Sequence, residues 1–219
     1  MSYTIKTNYL PAGHRLRPSG YYEKDTITAH STGNLSSTPQ GERNWLNNTT
    51  NKRLAAWHDC VGEGIVIRAI PHTEPAWHCG NDYGNKHSIG IEIVESGDRC
   101  KVLMTAAEYI ADLLRERGWG IDRLKRHYDW TGKNCPRILI DKAYIKGNMN
   151  WEWFVKKVSE FLEGEMVEPK KEKIIINGTE YEGECVNINN YTYWKIRDIA
   201  GPMGYYVGNS GKIPVLVKK

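Results

Sequence analysis

The sequence predicts a mixed α/β domain, a central β-sheet flanked by helices, followed by a small α+β module. Up to Gly164, short β-branched or alternating runs interleave with amphipathic helical patterns. The composition then changes to a charged, proline-containing stretch without periodicity, GEMVEPKKEK. A length of 219 residues, at ~100–200 per domain, allows one large domain and an appendage. The expected division is a main domain over 1–164, a linker over 165–173 and a module over 174–219.

The segment DTITAH alternates and is rich in β-branched residues, so it reads as a strand from Asp25 with His30 at its tip. Thr38 and Pro39 supply an N-cap and a first-turn proline for a helix carrying Trp45, Leu46 and Leu54. Ala56 to Val61 and Gly64 to Ile70 read as strands joined at Gly62-Glu63-Gly64, and Ser88 to Val94 as a third. Thr105 and Glu108 stand in capping-box spacing before Ile110, Leu113 and Leu114, and Gly118 stops that helix after Arg117. Trp151 to Leu162 is amphipathic and ends before Gly164. In the module, Asn177-Gly178 signals a hairpin, with a helix over Trp194–Ala200 and a last strand over Ile213–Lys218.

Hydrophobic residues at 40%, charged residues at 26% and a mean hydropathy of -0.60 exclude global disorder, a collagen repeat and a multi-span membrane protein. No apolar run approaches the ~18–20 residues of a membrane helix, and the first twenty residues lack signal-peptide order. The expectation is synthesis in the cytoplasm, no membrane insertion, and action outside only after release. A net charge of +4 without a Lys/Arg block does not call for nucleic acid. Eight Trp and thirteen Tyr against two Phe suit carbohydrate stacking, and packing equally. Five cysteines without a CxxC pair argue against a disulfide framework and leave one free for chemistry.

His127 opens HYDWTGKNCP, a segment short enough to fold His127 and Cys135 onto one metal; imidazole and thiolate are preferred zinc ligands. His30 is the candidate third ligand, and three protein ligands make a catalytic type of site. Glu92 interrupts the apolar run SIGIEIV, where burial raises a carboxyl toward general-base range; the alternative is a solvent face on an edge strand. Lys133, two residues before Cys135, projects to the same side and can stabilise an oxyanion, or is a solvated loop lysine. HExxH, GxSxG, P-loop and dinucleotide motifs are absent, while a cysteine hydrolase with Cys135 as nucleophile and His127 as base stays open.

The blocks ITAHSTGN, WHDCV, AIPHTEPAWHCG, SIGIEI and HYDWTGKNCP, in this order, resemble the type 2 N-acetylmuramoyl-L-alanine amidases, phage endolysins and autolysins of Gram-positive bacteria among them. The resemblance covers roughly Lys6 to Leu162. It implies zinc on His30, His127 and Cys135, with Glu92 as general base, Lys133 on the oxyanion, and Trp77 and His78 as substrate contacts. It also implies hydrolysis of the amide between N-acetylmuramic acid and L-alanine in the peptidoglycan of a Gram-positive wall. A non-catalytic peptidoglycan-binding protein of the same fold and a cytosolic wall-recycling amidase are the alternatives. INGTEYEG with YWKIRDIAGPMGYYVG resembles the small repeat found beside copper amine oxidases, which implies wall anchoring or self-association, including a homodimer, and no copper chemistry.

Overall fold

The computed structural model describes residues 2–164, 170–188, 191–210 and 213–218. The chain divides into two compact units, 1–164 and 165–219. Of the linker expected over 165–173, residues 165–169 lie outside the described residues, and 170–173 already belong to a strand.

In the first unit, β1 (Thr4–Thr7), β2 (Thr26–Ser31), β3 (Asp59–Gly62), β4 (Ile65–Arg68), β5 (Ser88–Ile93) and β6 (Leu124–Arg126) form one sheet. Its order is β1-β4-β3-β5-β2-β6. Only the β3/β4 hairpin is antiparallel; the other four pairings are parallel. The helices are α1 (Pro39–Leu46), α2 (Asp82–His87), α3 (Arg99–Glu116), α4 (His127–Thr131), α5 (Arg137–Ile140) and α6 (Trp151–Glu163). The mixed sheet flanked by helices is the expected class.

Strands β2 and β5 are inner strands, and their residues Ile27, Ala29, Ile89, Ile91 and Ile93 are fully buried. An inner strand of a parallel sheet has no solvent face, which accounts for the near-continuous apolar reading of Ser88 to Val94. Helix α3 packs on β3 and β5 and against α6, whose Phe154 and Val158 are fully buried. Trp151, Val155, Phe161 and Leu162 pack on the same core from half-buried positions. Gly164 caps α6 with φ 75°.

Three local expectations are corrected. Helix α3 begins at Arg99, where Asp98 Oδ1 accepts from the Cys100 and Lys101 amides at 2.9 and 3.2 Å. Thr105 is therefore inside the helix, its Oγ1 accepting from the Gly64 amide at 3.1 Å instead of capping anything. Helix α1 stops at Leu46 because Asn48 and Asn51 side chains take the amides of Thr50 and Arg53, which bends the chain away. That leaves Leu54 63% exposed. The segment after His127 is the short helix α4 and not an open loop.

In the second unit, β7 (Lys170–Ile176), β8 (Thr179–Ile188) and β9 (Tyr191–Trp194) form an antiparallel sheet. Helix α7 (Ile196–Ala200) leads to a two-stranded antiparallel pair, β10 (Tyr205–Ser210) and β11 (Ile213–Lys218). Asn177 and Gly178 have φ 51° and 79°, the backbone of a type I′ hairpin turn between β7 and β8. Among the described residues, no helix is long and apolar enough to cross a membrane.

Truncation of Phe154 to Ala is expected to cost about 3–5 kcal/mol in urea denaturation, the range for a buried aromatic. A loss under about 1 kcal/mol would show that α6 adds no close packing to the core.

Candidate metal centre

The carboxyl ends of three parallel strands build the site. His30 is the fifth residue of β2, Glu92 the fifth of β5, and His127 directly follows β6. Register places His30 beside Glu92 and Glu92 beside Cys60, so these three share a row and a face. Helix α4 is held to β2 by Trp130 Nε1, which donates to Thr28 Oγ1 at 2.8 Å. Gly132, at φ 72°, ends α4 and turns the chain back, and the Tyr128 amide donates to Cys135 O at 3.0 Å. This return brings Cys135 against His30.

The nearest ligand atoms of His30, His127 and Cys135 all lie within 4.8 Å of one another, and all three residues are buried. His30 Nδ1 is 3.0 Å from His127 Nδ1 and 3.8 Å from Cys135 Sγ. Tetrahedral zinc, with N ligands at ~2.0–2.1 Å and S at ~2.3 Å, sets such donors roughly 3.3–3.6 Å apart. The donor set and its spacing therefore fit that ion. Burial, then the neighbouring His78 and His127, hold His30 well below the usual imidazole range. Burial and Lys133 lower His127 to about 4. Both rings are neutral at pH 7 and keep a lone pair to offer.

Burial also pushes the Cys135 thiol up to about 12, with Glu92 adding to the effect and Lys133 opposing it. A thiol in that state is a poor nucleophile, whereas a cation would ionise it into a ligand.

Glu92 sits on an inner strand, not an edge. Its Oε2 is buried without a hydrogen-bond partner. Burial first, and then the Glu42 carboxylate, push the carboxyl up to about 8, while Lys133 pulls it down. His30, Glu92, His127, Lys133 and Cys135 border one groove of about 300 Å³, and Trp77 forms part of its wall. Lys133 is exposed at the rim.

His78, expected as a substrate contact, borders the groove with its ring turned toward the protein. It is 8% exposed, its Nδ1 lies 3.0 Å from His30 Nε2, and its Nε2 donates to Ser88 O at 3.3 Å. Its polar atoms thus turn to the protein and not to the groove it borders. Glu42, Trp45, Arg53 and Trp57 also line the groove and were missed. Trp45 stacks on Trp57 at 5.7 Å and 17°. Glu42 and Trp45, three apart on α1, share a helix face, and that spacing was the one available signal.

The strand ends of this α/β domain gather two imidazoles and a thiol that could hold a metal ion, beside an orphaned carboxylate. Residues 21–138, more than half of the chain, match the family model described as N-acetylmuramoyl-L-alanine amidase, and the chain belongs to that family. It is 41% identical over 140 residues to the N-acetylmuramoyl-L-alanine amidase CwlA of Bacillus subtilis, covering 60% of this chain and 50% of that protein. The solved catalytic domain of XlyA and a mutant endolysin from Bacillus subtilis match with TM-scores of 0.63 and 0.64. Each is 30% identical and covers 71% of this chain and 99% of its own. The chain spans about half the length of the curated relatives it matches.

The Glu92 carboxyl is harder to ionise folded than unfolded, so its charging costs stability as pH rises from the usual 4.5 toward 8. In chelator-treated protein, Glu92→Gln is expected to match wild type near pH 4 and to exceed it by at least about 1 kcal/mol at pH 8. Urea denaturation across pH checks this; a difference independent of pH would remove the buried-carboxylate account.

Proposed function

We propose that this chain is a zinc-dependent peptidoglycan hydrolase that cleaves the amide between N-acetylmuramic acid and the L-alanine of the stem peptide. It acts as a phage or prophage endolysin on Gram-positive walls. The observation that carries this reading is the convergence of His30, His127 and Cys135 beside the partnerless Glu92 Oε2.

Held by those three residues, zinc supplies a Lewis acid for the scissile carbonyl and water acidified to a pKa of about 7. Glu92 takes the proton from the attacking water at its free oxygen. It holds that proton because its surroundings favour the neutral carboxyl. It then passes the proton to the alanine nitrogen as the C–N bond breaks, leaving a lactyl carboxylate and a free amine. Lys133, at the rim, offsets the negative charge on the carbonyl oxygen. Trp77 offers a flat, half-buried face to the substrate. The module 174–219 holds the enzyme to a wall polymer or to a second copy of itself.

Chelation is expected to abolish the appearance of new L-alanine amino groups on purified walls, and added zinc to restore it. Glu92→Ala is expected to keep zinc and to lose turnover by about 10²-fold or more. Chelator-resistant cleavage blocked by thiol alkylation would instead identify a cysteine hydrolase. Wall binding without new amines would identify a binding protein.

A further inference from the structure

We propose that His78 is a positioning residue that fixes the tautomer and ring orientation of His30. The inference rests on the metal reading above and extends it to a residue outside the three-ligand set.

Ser88 O can only accept, so His78 carries its proton on Nε2, 3.3 Å away. Neutral His78 then presents a lone pair at Nδ1, and His30 Nε2 lies 3.0 Å from it. His30 must therefore donate from Nε2, which leaves its Nδ1 bare. That bare atom is the one that faces His127 Nδ1 and Cys135 Sγ. With the opposite tautomer, His30 would point an N–H into the ligand cluster and set two lone pairs against each other at His78.

The chain also builds a seat for this ring. A Cβ on Gly90 would lie 2.6 Å from His78 Cγ, so only glycine on this inner strand lets the imidazole lie over β5. Gly90 is itself fixed on the other side: its amide donates to His58 Nδ1 at 2.9 Å, and its carbonyl accepts the His58 amide at 3.0 Å. His58 Nε2 in turn donates to Glu74 O at 2.9 Å. Metal-bound histidines are oriented by such outer partners, whose loss costs metal affinity about 10–100-fold.

Two measurements test this. In metal-free protein labelled with ¹⁵N-histidine, two-bond proton–nitrogen spectra are expected to show His30 protonated on Nε2. An Nδ1-protonated His30 overturns the inference, and this readout needs no variant to fold. Zinc affinity by competition with a chromophoric chelator is expected to fall about 10–100-fold in His78→Leu. It is expected to recover in His78→Asn, whose Oδ1 restores an acceptor near the place of Nδ1. Unchanged affinity in folded His78→Leu, with loss in Cys135→Ala, overturns the role of His78 alone. Equal affinity in wild type and Cys135→Ala overturns the metal reading and this inference with it.

Discussion

Three electron-pair donors held in one buried place are what the rest of the site depends on. Two neutral imidazole nitrogens 3.0 Å apart, with a sulfur 3.8 Å from one of them, have little to gain from each other in a low dielectric. A divalent cation reverses that balance, since it gives both lone pairs a partner and ionises the thiol. The burial that surrounds these donors also raises Glu92, one row position away from His30. One dielectric environment therefore sets the protonation state of both the donor cluster and the carboxyl.

The fold explains why these groups meet. In open parallel sheets, ligands bind beyond the carboxyl ends of the strands. Here His30 and Glu92 sit next to last on β2 and β5, and His127 follows β6. The opposite face of the sheet is pinned separately, one row away. Fully buried Asp59 on β3 accepts from Arg68 Nε at 3.0 Å and Tyr109 OH at 2.6 Å, and meets His72 at 2.5 Å. This network joins β3, β4 and α3, so β3, the strand that pairs with β5, is fixed by a charge cluster the site does not share.

Much of this was legible in the sequence, for physical reasons that differ by residue. Glu92 announced itself as a charge within an apolar strand, and His30 as a polar tip on a β-branched run. β11 was legible to its bounds, and the β7/β8 turn from Asn177-Gly178, because a two-residue turn with positive φ admits few residues. β1 and β6 were missed because TIKT and LKR are too short and too polar to show a period. The start of α3 was missed because its first turn, Arg99-Cys100-Lys101, hides the Asp98 cap behind polar residues. Arg53 and Trp57 reach the groove through long-range folding of the chain after α1, which no local pattern records. The contact between His78 and His30 was not legible, since spacing cannot say which way a ring's nitrogens face.

The most direct test is zinc-edge X-ray absorption on the purified full chain, together with metal quantification. One zinc per chain is expected, in a shell of one sulfur at about 2.3 Å, two imidazole nitrogens at about 2.0–2.1 Å and one further light atom from solvent. A shell without sulfur, a shell closed by a fourth protein ligand, or no stoichiometric zinc would contradict the account.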